Sequence, residues 1–240
     1  MRETGSYAGT RIQAVVDALD GVYAEIERIQ KPWRDASPFP CPDGCGSCCV
    51  DFEPDVLECE ALYLAVWMLH HQRERALAIL DGSFVSPRPD PERGCILFDP
   101  TNPYHCTVYG GRCLICRLFG YTGDRGKDGG IRWKPCRFLP ADTGVDGMDA
   151  RRQYRAADLF ERFGAAPAAM GDITAQISAL VPDSAGERLP LREALPRAIA
   201  KILMLERFIG GFTDPEEPDP DAPDPDAPEP NPDAPIPRAS

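Results

Sequence analysis

The sequence predicts a mainly α fold with a small, irregular, turn-rich β region organised by cysteines: a metal-stabilised α+β chain. Three observations carry this. Long segments towards both ends of the chain place apolar residues every three or four positions. The stretch from Gly94 to Leu139 breaks instead into short apolar or β-branched pieces separated by "NP", "GG" and "DGG". Ten cysteines occupy the 240-residue chain, four of them within "CPDGCGSCC" at residues 41–49.

In chain order, "TRIQAVVDALDGVYAEIERIQ" spaces Ile12, Val15, Val16, Leu19, Val22, Tyr23, Ile26 and Ile29 as one face of an amphipathic helix, with Thr10 as its cap and "KPWRDASPFP" as its end. After the cysteine loop, "EPDVLECEALYLAVWMLHHQRERALAIL" predicts a long helix starting at Pro54 and Asp55. "CILF", "HCTVY" and "IRWK" read as short strands. "ARRQYRAADLFERFG", "AAMGDITAQISALV" and "LREALPRAIAKILMLERFIGG" predict three packing helices, the last kinked or divided at Pro196. From Thr213 the chain has ten prolines, nine acids and one arginine, with almost nothing apolar to bury, so it reads as disordered with local polyproline II character. The expected organisation is an N-terminal helix (1–36), a cysteine-cluster metal-binding domain (37–140), a helical completion of that domain (141–212) and an acidic tail (213–240).

The tail carries −8 of the net charge of −12. An acidic chain repels phosphate backbones and anionic headgroups, so neither nucleic acid nor a membrane surface is an expected partner; protein partners remain open through the helices or the tail. The start "MRETGSYAGTR" lacks the apolar core of a secretory signal, and no apolar run approaches a membrane span. A cytoplasmic location is therefore expected. In that compartment dense cysteines point to metal or catalysis rather than disulfides, and a disulfide between adjacent Cys48 and Cys49 would strain the peptide between them.

Setting aside Cys59, which reads as a small buried hydrophobe within a helix, and Cys113, the thiols form a tight group (Cys41, Cys45, Cys48, Cys49) and a dispersed one (Cys95, Cys106, Cys116, Cys136). Four thiolates complete a tetrahedral Zn2+ site or a 4Fe-4S iron-sulfur cluster, and Gly44 and Gly46 let the loop turn its sulfurs inward. Adjacent Cys48 and Cys49 are expected to point apart, serving two sites or straddling a polynuclear one. "CGSC" and "CLIC" could also be the two knuckles of a zinc ribbon, although Leu114 and Ile115 are bulky for a knuckle. The first three cysteines share the C-x3-C-x2-C spacing of radical S-adenosylmethionine enzymes, but here a helix precedes the loop and Ser47 stands where an aromatic is usual.

The ordered set resembles the YkgJ family of cysteine-cluster proteins, described as zinc- or iron-chelating domains. "CPDGCGSCC" is similar to the family's CxxCxxCC opening with one extra residue in the first gap. A helix with acidic residues near its start, as in "EPDVLECE", follows, and "GCILF", "HCTVY" and "RCLICRLF" match the downstream signature. Carried over position by position, the resemblance implies Cys41, Cys45, Cys48, Cys49, Cys95, Cys106 and Cys116 as metal ligands, with Cys136 an eighth. It departs at Cys113, where the family has proline; this residue could be an extra ligand, a redox neighbour of Cys116 or a neutral replacement.

Arg112 and Arg117 flank "CLIC" and could donate to thiolates or sulfides, or simply bridge surface acids. His70 and His71 diverge on one helix and read as a solvent-facing or capping pair; His105, beside Cys106, is the better spare ligand. The leading function is a metal-binding protein whose cysteines chelate iron, as an iron-sulfur cluster, or zinc, in a redox, metal-handling or structural role. The competing readings are a cluster-assisted transferase, since the flagellin lysine methylases include a related cysteine-rich region, and a structural zinc module that binds a protein. No glycine-rich nucleotide loop follows a strand, and no acid–base or nucleophile constellation stands out beyond the cysteines.

Overall fold

The computed structural model describes residues 7–39, 41, 45–102, 105–139, 144–180 and 187–209; the expected acidic tail lies outside them. Among the described residues the fold is mainly α, with eight helices and two small sheets.

Helix α1 (Arg11–Ala36) starts where predicted, with the Thr10 hydroxyl accepting from the Gln13 amide at 3.3 Å. It continues through Pro32 to Ala36, inside the terminating stretch "KPWRDASPFP", because Trp33 is fully buried and meets Trp133 edge-on at 5.0 Å. A short helix α2 (Ser47–Asp51) follows, then strand β1 (Asp55–Val56). The long helix therefore begins later than predicted, as α3 (Glu58–His71). Glu60 fixes that start by reaching back to accept the Leu57 amide at 3.0 Å, and Gln72 separates α3 from α4 (Arg73–Asp81).

Between Gly94 and Leu139 only "IRWK" forms a strand as predicted. "CILF" and "HCTVY" are turns tied by a single bridge between Phe98 and Cys106, and "CLIC" enters helix α5 (Leu114–Leu118). Strands β2 (Thr122–Arg125), β3 (Ile131–Trp133), β4 (Tyr154–Arg155) and β5 (Ala168–Ala169) make a sheet in the order β4-β3-β2-β5, antiparallel except for the parallel β2–β5 pair. The second sheet pairs β1 with β6 (Leu189–Pro190), antiparallel, with Val56 opposite Leu189.

Helices α6 (Ala156–Phe163), α7 (Met170–Leu180) and α8 (Leu191–Ile209) complete the chain. The starts of the first two of the three predicted helical segments are thus given over to a turn or strand, whereas α8 begins at Leu191, the first residue of the third. Helix α8 is undivided at Pro196: the lost hydrogen bond lies near the helix start, and Leu195, Ile199 and Ile202, on both sides of the proline, form a fully buried seam. That seam packs on α3, whose residues from Cys59 to Leu69 are all buried except Trp67. Helix α1 covers another side of α3, and three of the dispersed cysteines, Cys95, Cys106 and Cys116, pack against this core. No described helix is long and apolar enough to cross a membrane.

Candidate metal centre

Cys48 and Cys49 lie in α2, whose start is set by Gly46. A Cβ at Gly46 would stand 2.5 Å from both the His105 Cβ and the Phe98 ring, so only glycine lets the loop run this close to the turn that carries Cys106. Gly94, at φ +70°, has the same role on the opposite side: a Cβ there would collide with the carbonyls of Cys49 and Val50. The close approach allows the Cys95 amide to donate to the Cys49 carbonyl at 3.1 Å, joining the two cysteine groups through the backbone.

Arg88 reinforces this junction. Its guanidinium, only 9% exposed as a residue, donates to the carbonyls of Cys49 (2.9 Å), Cys95 (3.0 Å) and Val50 (2.6 Å). Sequence reasoning missed Arg88, which sits in "SPRPDPERG" with no periodicity or motif to mark it. Glu60 ties the far side: its carboxylate, 1% exposed, accepts the amides of Leu57 (3.0 Å) and Leu114 (2.8 Å) and faces Arg188 at 3.4 Å. It thus anchors the start of α3 to the helix that presents Cys116. Tyr121 holds the front of the cysteine loop by accepting the Cys41 amide at 3.0 Å.

All ten cysteines are free thiols. Cys41 and Cys45 are exposed, Cys48, Cys49, Cys95, Cys106, Cys116 and Cys136 are half-buried, and Cys59 and Cys113 are buried in the hydrophobic core. The eight sequence-predicted ligands fall in one electrostatic neighbourhood. Partial desolvation, followed by the charges of Cys45, Cys136 and Cys48 in that order, raises the Cys41 thiol to about 11. Burial raises Cys95 to about 12 and also raises Cys116, with the charges of Cys106 acting on both. Burial raises Cys106 too, and Cys48 adds to it.

Cys48 is common to the tight and dispersed groups. Its thiol is lowered because the neighbouring Cys49 hydrogen-bonds to it, and Cys49 is correspondingly raised, first by Cys48 and then by burial. The two sulfurs are 3.9 Å apart, so these neighbours converge rather than point apart as expected from their adjacency. The separation is close to the edge of a tetrahedron with metal–sulfur bonds of about 2.3 Å, roughly 3.8 Å. Among the described residues no three His, Cys, Asp or Glu side chains are already drawn into a joint metal-ligating arrangement. The donor set is nevertheless all thiol, which suits zinc and thiolate-bound iron.

Of the two flanking arginines, only Arg112 acts broadly on these cysteines, favouring the thiolate form at Cys41, Cys48, Cys106 and Cys116. Its guanidinium lies 3.5 Å from the centre of the Tyr109 ring. Arg117 instead donates to the carbonyls of Arg112 (2.8 Å) and Gly110 (2.7 Å) and stacks over Tyr23. Burial raises Cys113 well above the ordinary thiol range; it caps α5 inside the core, which does not suit a ribbon knuckle. His70 and His71 are exposed, the former 3.1 Å from the Tyr7 hydroxyl and the latter against Trp67, while His105 stacks on Phe98.

One comparison with known proteins bears on these cysteines. Residues 40–141 match the CxxCxxCC family model, described as "Putative zinc- or iron-chelating domain". The matched stretch spans the loop, α3, α5 and the β2–β3 hairpin, and contains all eight candidate ligands together with Cys59, Cys113, Arg88 and Glu60. Helices α1 and α8, which enclose α3, lie outside it. No curated protein and no solved structure matches the chain.

Proposed function

We propose that the eight cysteines hold a thiolate metal centre of zinc or iron, open to solvent on one face and serving metal handling or electron transfer. What supports this is the position of Cys48, whose charge acts on Cys41 in the tight group and on Cys106 and Cys116 in the dispersed one. Such sharing favours one polynuclear or two adjoining sites over two remote ones. Cys48 and Cys49 would bind the same ion, since their sulfur spacing fits one tetrahedron edge. That spacing fits zinc, or iron carrying two thiolates, better than a 4Fe-4S cubane, in which each iron takes one cysteine.

The bound metal would supply Lewis acidity or, as iron, a one-electron couple. Arg112 would offset its negative thiolate charge, and Arg88 and Glu60 would hold the two halves in register. The exposure of Cys41 and Cys45 favours exchange or electron transfer over a closed structural site. Free thiols throughout suit a reducing compartment such as the cytoplasm. Anaerobic purification followed by iron, acid-labile sulfide and zinc assays and visible spectroscopy on one sample tests the reading. Metal bound through thiolates is expected; a protein that takes up neither zinc nor iron overturns it.

A further inference from the structure

We propose that the pocket opening beside Cys48 and Cys136 binds a small aromatic carboxylate, setting an organic anion against the thiolate centre. The placement against metal rests on the function proposed above; the pocket itself rests on its own walls. It has a volume of about 350 Å³, at the small end of the range of about 300–1,000 Å³ for ligand sites, which suits a ligand of one or two rings.

The walls are aromatic. Phe52 meets Phe119 edge-on at 5.3 Å, and Phe119 and Phe138 are each 42% exposed at the opening, with Leu118 buried beneath. Such rings accept another aromatic ring by edge or face. The rim carries two cations, Lys134 and Arg137, and no carboxylate, with the thiols of Cys48 and Cys136 also in the lining. Among the described residues neither makes an ion pair, and the Arg137 guanidinium lies 4.7 Å from the centre of the Phe138 ring, so ring and charge line the pocket side by side. In a chain of net charge −12 a carboxylate-free cationic rim selects anions, and an arginine fork matches a carboxylate. The larger cleft at the β2–β3 turn lacks this character, because Asp124 and Asp128 stand among its cations.

The test is equilibrium dialysis of the metal-loaded protein against 2-naphthoate and against neutral 2-naphthalenemethanol, with metal measured per chain on the same samples. Saturable 2-naphthoate binding is expected, with the alcohol weaker by about tenfold or more. The double variant Lys134→Ala with Arg137→Ala should weaken naphthoate about tenfold and keep its metal, and Phe138→Ala should weaken both probes. Equal affinity for acid and alcohol, no saturable binding at millimolar probe, or undiminished binding by the double variant overturns the proposal. Charge-selective binding by a preparation that takes up no metal would uphold the pocket and defeat the metal reading instead.

Discussion

Replacing Arg88 with methionine removes the guanidinium that joins the loop of Cys49 to the turn of Cys95. Four carbonyls lose a donor: Cys49, Val50, Asp90 and Cys95. Two keep another, since the Cys49 carbonyl still accepts the Cys95 amide at 3.1 Å and the Cys95 carbonyl the Phe98 amide at 3.1 Å. The main cost is therefore the Val50 carbonyl, which loses a 2.6 Å charged donor, and methionine avoids burying a stranded charge. An orphaned carbonyl at about 1–3 kcal/mol plus loss of charged hydrogen bonds gives a net of about 2–3 kcal/mol. At about 2–4 °C per kcal/mol for a chain of this size, melting should fall by about 4–12 °C. Calorimetry of metal-loaded protein measures the fall, and a chelator competition on the same variant should show weaker metal retention. Arg88→Lys, which reaches a carbonyl without the fork, should fall between. An Arg88→Met protein melting within about 1 °C of the parent, with unchanged metal retention, would refute the argument that this side chain registers the two halves.

Three further outcomes are expected. Cys48→Ser should lose metal and lower the melting temperature because ligand binding is part of the folding free energy, whereas Cys59→Ala, in the core of α3, should keep full metal content; elemental analysis of the two separates them. Gly94→Ala should destabilise the protein in thermal melts, since at φ +70° the new methyl collides with the Cys49 and Val50 carbonyls. Metal affinity should rise with pH. Burial raises Cys41 to about 11 and Cys95 to about 12 in the metal-free protein, so both are protonated at neutral pH and metal must displace their protons. Affinity from competitive chelator titrations should then climb about tenfold per pH unit for each proton released between roughly pH 6 and 8, and a flat profile would contradict the assignment of these thiols as ligands.

Periodicity made α1 and α8 legible, because each buries a stripe and Thr10 marks the first of them chemically, while α3 was legible as a long apolar run that the core buries on nearly every side. It failed where tertiary contact outweighed local preference. Trp33 carries α1 beyond Pro32 because Trp133, a hundred residues on, gives it a partner. Asp55 and Val56, at the expected helix start, form a strand because Leu189 and Pro190 arrive from the far end of the chain to pair with them. At the candidate site the thiols were legible by spacing, and Glu60 partly so from the acids in "EPDVLECE". Arg88 was not, since its partners are backbone carbonyls, which leave no trace in side-chain patterns. The convergence of Cys48 and Cys49 was equally hidden, because it depends on the short helix α2 rather than on their adjacency.

The pairing of β1 with β6 has a further consequence for how the molecule can be divided. It brings Leu191 back to donate to the Pro54 carbonyl at 3.0 Å and sets Arg192 against Glu53 at 2.6 Å, so the chain ahead of α3 is clasped by the chain ahead of α8. Helix α3 is greasy on nearly every side and borrows its wrapping from α1 and α8. The stretch from 40 to 141 is therefore not a detachable cassette in this protein. Excised, it would keep every sulfur and lose the clasp and the sheath that give those sulfurs a fixed backdrop.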